Sequence, residues 1–117
     1  MEQAFPTTFR TYHVQPSTTA RTVVYTVPEN HTAYVRALFL ANTTNSTVDT
    51  QIEWYDSSEA TYNILYKVDA AGKTTKSEYD TILFVLEAGD QLTAKLATAS
   101  SIDVVVTVGE FFDPARN

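Results

Sequence analysis

Apolar and polar residues alternate with a period of two along most of this chain, from about residue 22 to residue 110. That alternation sends successive side chains to opposite faces of an extended strand. No stretch shows the three-to-four spacing of an amphipathic helix. The best-defined part, residues 81–110, reads TILFVLEAGDQLTAKLATASSIDVVVTVGE and predicts three strands and two turns. Ile82 to Leu86 is a compact apolar run. Glu87-Ala88-Gly89-Asp90 breaks it, and Gly89 is free to adopt the positive φ that tight reversals often need. Leu92, Ala94 and Leu96 then make one apolar row, and Ile102, Val104, Val106 and Val108 make another. Val105 lies on the opposite side of that last row, so this strand is expected to be central and covered on both faces.

Upstream, Val23, Tyr25 and Val27 alternate with Thr22, Val24 and Thr26. Pro28 ends that strand because it has no N–H to give to a ladder. Residues 32–41 place Val35, Ala37, Phe39 and Ala41 on one side and Tyr34, Arg36, Leu38 and Leu40 on the other. Both rows are largely apolar, which predicts a second central strand, with Arg36 snorkelling to water near a strand end. Residues 48–55 give Val48, Thr50, Ile52 and Trp54 an inward face and leave Asp49, Gln51, Glu53 and Tyr55 on a wet one. In 60–68, Tyr62, Ile64, Tyr66 and Val68 form the inward row. Residues 69–79, DAAGKTTKSEY, read as the longest polar loop.

The elements sum to an all-β antiparallel β-sandwich of about eight strands, wired as a jelly-roll or in immunoglobulin-like order. Residues 1–19, interrupted by Pro6 and Pro16, are expected to form an extended N-terminal arm with a short edge strand over 9–14. The sandwich domain is expected over 20–110. Residues 111–117 are expected to form a C-terminal tail whose Phe111 and Phe112 tuck onto the body or a neighbour.

Composition agrees with strands: β-branched and aromatic residues are abundant and glycine is scarce. A chain of 117 residues holds one domain large enough to fold without staples. The absence of cysteine excludes disulfides, thiolate metal sites and cysteine nucleophiles. Charged residues make up 19 %, below the usual quarter. Either a Thr/Ser-rich surface or a surface partly buried against other subunits accounts for that. The net charge of −6, with no Lys/Arg cluster, argues against nucleic acid as a partner. The apolar runs are far too short to span a bilayer as a helix, so no membrane partner is expected. The N-terminus has an early acid and no apolar segment, which predicts no secretory signal and synthesis in a cytoplasm.

Candidate chemistry is sparse. His13 and His31 have no third metal-type partner in the pattern. No Gly-x-Ser-x-Gly elbow is present. Gly72-Lys73-Thr74 fails as a phosphate loop because Lys67 stands where the first glycine belongs. Glu53, Asp56 and Glu59 surround one turn, where a calcium ion would find oxygen ligands and where plain solvation accounts for the same residues. No catalytic, cofactor or metal site is therefore predicted, and the chain reads as a non-enzyme. The aromatic residues say more. Trp54, Tyr62 and Tyr66 have core parity, whereas Tyr55 has outward parity, which suits an interface or a sugar-binding face. The interface candidates are Phe5, Phe9, Tyr12, Tyr55, Phe111 and Phe112.

Three segments carry a resemblance. Val24-Tyr25-Thr26-Val27-Pro28 runs through Thr32-Ala33-Tyr34-Val35-Arg36 to Ala41-Asn42-Thr43-Thr44. Leu86-Glu87-Ala88-Gly89-Asp90-Gln91-Leu92 is the second, and the run from Ser101 to Glu110, SIDVVVTVGE, is the third. In this order they resemble small β-sandwich virion structural proteins of tailed bacteriophages, some of them capsid decoration (cement) or appendage proteins. The resemblance covers roughly residues 22–110 and rests on turn and strand motifs. It implies a non-enzymatic virion protein, made in the host bacterial cytoplasm, acting through protein–protein contacts. Its partners would be the major capsid protein or other virion proteins, and itself as a cyclic homo-oligomer, with a trimer favoured. The alternatives are a neck, tail or fibre-attachment subunit and, from another class, a carbohydrate-binding module.

Overall fold

The computed structural model describes residues 7–112 and Pro114. Among them the alternating segments become eight strands and no helix. The strands are β1 (Thr7–Val14), β2 (Thr22–Thr26), β3 (His31–Asn42), β4 (Val48–Asp56), β5 (Thr61–Ala70), β6 (Thr75–Leu86), β7 (Gln91–Leu96) and β8 (Ile102–Phe112). They form two antiparallel four-stranded sheets, the first in the order β1-β8-β3-β6 and the second in the order β2-β7-β4-β5. Pairing is nested: β1 with β8, β2 with β7, β3 with β6 and β4 with β5. The expected all-β sandwich is thus the fold, and β3 and β8 are central strands of the first sheet.

The core lies between the sheets, where one row of each strand meets the other sheet. Ala33, Val35, Leu38 and Leu40 of β3 and Val104, Val106 and Val108 of β8 are at most 5 % exposed. Ile52, Leu92, Ala94 and Leu96 of the second sheet are at most 2 % exposed. Each large side chain so buried contributes roughly 1.5–3 kcal/mol.

Two polar residues fix the ends of the strands. Gly89 takes φ +85° in the turn before β7, and Val27 brackets that turn with two backbone bonds, to Asp90 at 2.9 Å and from Gly89 at 3.1 Å. The Asp90 carboxylate accepts from the Glu87 N–H, the Ser57 N–H and hydroxyl, and the Trp54 indole Nε1–H. The AGD turn thereby ties β6 and β7 to the end of β4. Asn42 does the same at the other end, donating to the Ser46 and Ala70 carbonyls at 2.8 Å each.

Bulges interrupt the alternation. β2 gains one residue at Val24, since Val23 faces Thr93 while Tyr25 faces Leu92, and Val23 is therefore 48 % exposed although Tyr25 and Val27 of the same predicted row are buried. β3 gains one residue at Arg36, since Val35 faces Val108 while Ala37 faces Thr107. The inward row therefore switches from Ala33 and Val35 to Leu38 and Leu40, and Ala37, Phe39 and Ala41 face outward. Arg36 sits mid-strand at this bulge, with its guanidinium 5.0 Å from the Phe9 ring centre, and not near a strand end. β5 gains one residue at Leu65, since Ile52 faces Tyr66 and Glu53 faces Ile64. Tyr66 and Val68 keep their inward places, but Tyr62 and Ile64 turn outward and are 45 % and 59 % exposed. A bulge adds one residue without changing hydrophobicity, so the period-two pattern carries no sign of it.

The expected 69–79 loop is also corrected. β5 continues to Ala70, the connection is only 71–74, and Thr75–Tyr79 pair with β3 from Ala41 to Ala37. This half of β6 is exposed at the sheet edge, and edge strands carry polar and charged side chains like those of loops. Thr7–Val14 pairs with β8 along its whole length. Phe111 and Phe112 are the last two residues of β8, opposite Thr32 and His31 on β3.

Candidate assembly surfaces

The outer face of the first sheet follows from its register. Val85, Tyr34, Gly109 and Phe9 form one row across β6, β3, β8 and β1. Tyr79, Ala37, Thr107 and Thr11 form the next, and Ser77, Phe39, Val105 and His13 the third. Thr75, Ala41 and Asp103 close the face. Only Asp103 in these rows carries a formal charge, and Arg36 is added at the bulge. Phe9 is 58 %, Tyr79 75 % and Val85 47 % exposed, while Tyr34, Ala37, Phe39 and Val105 are half-buried. Four strands and four rows span a few hundred Å², as large as the biggest apolar patch on an ordinary monomer.

Phe9 is held in place although it is exposed. A Cβ on Gly109 would meet its ring at 3.1 Å and the Thr7 methyl at 3.0 Å, so the absence of a side chain lets the ring lie against β8. Arg36 approaches the same ring. Phe9 is thus a fixed apolar knob whose presentation costs little ordering entropy.

The outer face of the second sheet is polar and has a buried charge. Glu53, expected on a wet face, is only 3 % exposed. Its carboxylate accepts from Arg21 Nε at 2.6 Å and Nη2 at 3.1 Å, from Gln51 at 2.9 Å and from the Thr93 hydroxyl at 3.1 Å. The Arg21 hydrogen bonds hold its pKa below the usual carboxylate range, against the opposing effect of burial. The Arg21 guanidinium lies 3.7 Å from the centre of the Tyr62 ring, and Tyr62 packs at 4.7 Å against Tyr55. Both Tyr55 and Tyr62 therefore belong to this outer face. The β5 bulge, which sequence periodicity does not show, is what brings the second tyrosine there.

The structure separates the predicted interface residues. Phe9 and Tyr55 stand on opposite outer faces, and Tyr12 is drawn to the β1–β2 edge, where its hydroxyl donates to Glu110 at 3.1 Å. Phe111 and Phe112 are half-buried at the end of β8, with Phe112 5.4 Å from the His31 ring. Phe5 lies outside the described residues. Glu53, Asp56 and Glu59 do not converge, since Glu53 is committed to Arg21 and Asp56 accepts from Ser58. Among the described residues no three His, Cys, Asp or Glu side chains are grouped to hold a metal ion. No helix there is long and apolar enough to cross a membrane.

No protein-family model and no curated protein sequence matches the chain. Solved structures do. A chain in the acid-stable capsid of Helicobacter pylori bacteriophage KHP30 is similar at TM-score 0.57 and 14 % identity, over 97 % of this chain and 92 % of that one. The Drosophila NLP core, described for pentamer formation and histone binding, is similar at TM-score 0.54 and 10 % identity, over 89 % and 98 %. A Bacillus endospore appendage protein of disulfide-linked pili is similar at TM-score 0.52 and 13 % identity, over 97 % and 96 %. At these identities the likeness is one of fold.

Proposed function

We propose that this chain is a non-enzymatic structural protein of a bacteriophage virion, a capsid decoration or cement subunit that works through protein–protein contacts. The observation that carries the reading is the outer face of β1-β8-β3-β6, which is broad, exposed and almost free of charge in a chain of net charge −6. A lone soluble domain would wet that face with charge, whereas a subunit covers it with a neighbour. The nested strand order supports a jelly-roll wiring of two Greek keys. The phage-capsid likeness and the sequence resemblance point the same way, and the partners would be the major capsid protein and further copies of this chain. The rigid body would be the two packed sheets, in which residues 7–14 of the expected arm and Phe111–Phe112 of the expected tail are themselves strand.

The test is Tyr79→Glu, a change at a 75 % exposed position that leaves folding alone. Unchanged melting together with at least tenfold lower occupancy on purified particles is the expected result. Full occupancy, or a native chain that binds no particle, overturns the reading. A second reading, a carbohydrate-binding module, is favoured by the Tyr55–Tyr62 pair. It requires glycan-array binding that Tyr55→Ala abolishes, and an array without hits removes it.

A further inference from the structure

The register of the first sheet makes its outer face complementary to itself. Arg36 on β3 reaches the Phe9 ring on β1, and β8 lies between those strands, so the guanidinium lies over β8 beside Gly109. Asp103 stands on the same strand, six residues back and about 20 Å away. Neither Arg36 nor Asp103 takes part in an ion pair among the described residues. Midway between the two charges is Val106, which faces Tyr12 on β1 and Leu38 on β3, and Leu38 in turn faces Glu78 on β6. These four residues mark a line across the whole sheet. On β3 and β6 the outward residues on the two sides of that line differ in size: Phe39 against Ala37, Tyr79 against Ser77 and, further out, Tyr34 against Ala41. On β8 itself Val105 and Thr107, one on each side, are alike in size.

We propose that a second copy covers this face, sheet on sheet, related by a two-fold axis lying between the two sheets along the Tyr12–Val106–Leu38–Glu78 line. That rotation reverses every strand about the line. It sets Phe39 over the partner's Ala37, Tyr79 over the partner's Ser77 and Tyr34 over the partner's Ala41, and symmetry repeats each contact in the other direction. It also brings each Arg36 guanidinium to the partner's Asp103. Sheets packed face to face lie about 10 Å apart, a gap that interdigitating side chains fill when a large one meets a small one.

Area and charge both favour a second copy. Four strands and four rows measure about 19 Å by about 27 Å, roughly 500 Å² on each copy, so a dimer buries about 1,000 Å², the size at which specific interfaces begin. Arg36 and Asp103 cancel, so copies of a chain of net charge −6 can meet on this face without repulsion there. The other two-fold direction, along the strands between β8 and β3, would set Arg36 beside the partner's Arg36, Asp103 beside the partner's Asp103 and Phe39 against the partner's Val105. Like charges facing each other across an interface are costly, so that direction loses. A partner of another sequence would not require the face to match itself. This inference rests on the assembly reading and names the partner of that face, with a dimer where the resemblance favours a trimer.

Charge exchange followed by sedimentation velocity tests the axis. The native chain is expected to dimerise reversibly. Arg36→Glu and Asp103→Arg each place like charges at both contacts, and each is expected to weaken dimerisation at least tenfold. Mixed in equal amounts, the two variants are expected to form a heterodimer of about native affinity, because every contact then joins opposite charges. The doubly substituted chain Arg36→Glu, Asp103→Arg is expected to dimerise by itself for the same reason, and either recovery shows that the substituted chains are folded. Single variants that dimerise like the native chain, a mixture of folded variants without recovery, or a native trimer overturns the proposal. A strictly monomeric native chain also overturns it. If that monomer still occupies purified particles, the assembly reading stands without the dimer; if it binds none, both fall.

Discussion

Removing the Arg21 guanidinium tests whether the second sheet's outer face is organised by one ion pair. Glu53 is covered by Arg21, whose guanidinium lies on the Tyr62 ring, and two of its four hydrogen bonds come from Arg21. Arg21→Ala leaves the carboxylate with Gln51 and Thr93. Breaking a fully buried pair costs about 3–5 kcal/mol, but the Arg21 side chain is 34 % exposed and water can replace it, so about 2 kcal/mol is expected. For a domain of this size that is a fall in melting temperature of roughly 6–12 °C. Because the folded pKa of Glu53 is depressed, its contribution is fully present above the unfolded value and is lost as pH falls through the folded one. The native chain and the variant are therefore expected to differ at pH 7 and to converge as pH falls below the ordinary glutamate range. Urea unfolding followed by the emission of Trp54, the single tryptophan, measures both. A loss under about 0.5 kcal/mol at pH 7, or a loss that does not shrink in acid, would refute the pairing.

Three further substitutions probe the frame. Gly72→Ala is expected to cost about 2–3 kcal/mol, because its Cβ would overlap the Asn45 backbone carbonyl and the chain must shift; chemical denaturation checks it. Ala60→Gly is expected to gain roughly 0.5 kcal/mol, since Ala60 holds φ +54° in the β4–β5 turn, where an L side chain is strained; the shift in urea midpoint reads it. Asp90→Ala is expected to cost about 3 kcal/mol by stranding the Ser57 and Glu87 N–H groups, and to red-shift Trp54 emission as the indole loses its acceptor.

Periodicity was enough to find the strands whose rows stay in step. In β7 and β8 every apolar residue at i and i+2 is buried as the alternation requires. It fails where the backbone inserts a residue, at Val24, Arg36 and Leu65, because hydrophobicity does not encode a bulge and each one reverses the faces on its two sides. The polar half of β6 carries no strand signal for a related reason: an exposed edge needs no apolar row. The burial of Glu53 is not legible from parity, which gives the face of a residue but not what lies over it. The covering group, Arg21, comes from the approach to β2, 32 residues away.

The same bulges shape the surfaces. Had β3 kept its register past Val35, Ala37 and Phe39 would point into the core and Leu38 and Leu40 outward. The bulge instead puts an alanine and a phenylalanine on the outer face, beside Arg36 and the Phe9 ring. In β5 the extra residue leaves Leu65 at the β5–β6 edge and turns Tyr62 over to meet Arg21. Each irregularity weakens a ladder locally, which a domain selected for stability alone has no reason to keep. Two of them stand at surfaces described above: the charge-poor outer face at Arg36, and at Leu65 the β5–β6 edge and the polar outer face that Tyr62 joins. That placement rests on the register alone, independent of any likeness to other proteins, and it is what the assembly reading proposed above requires of the outer face.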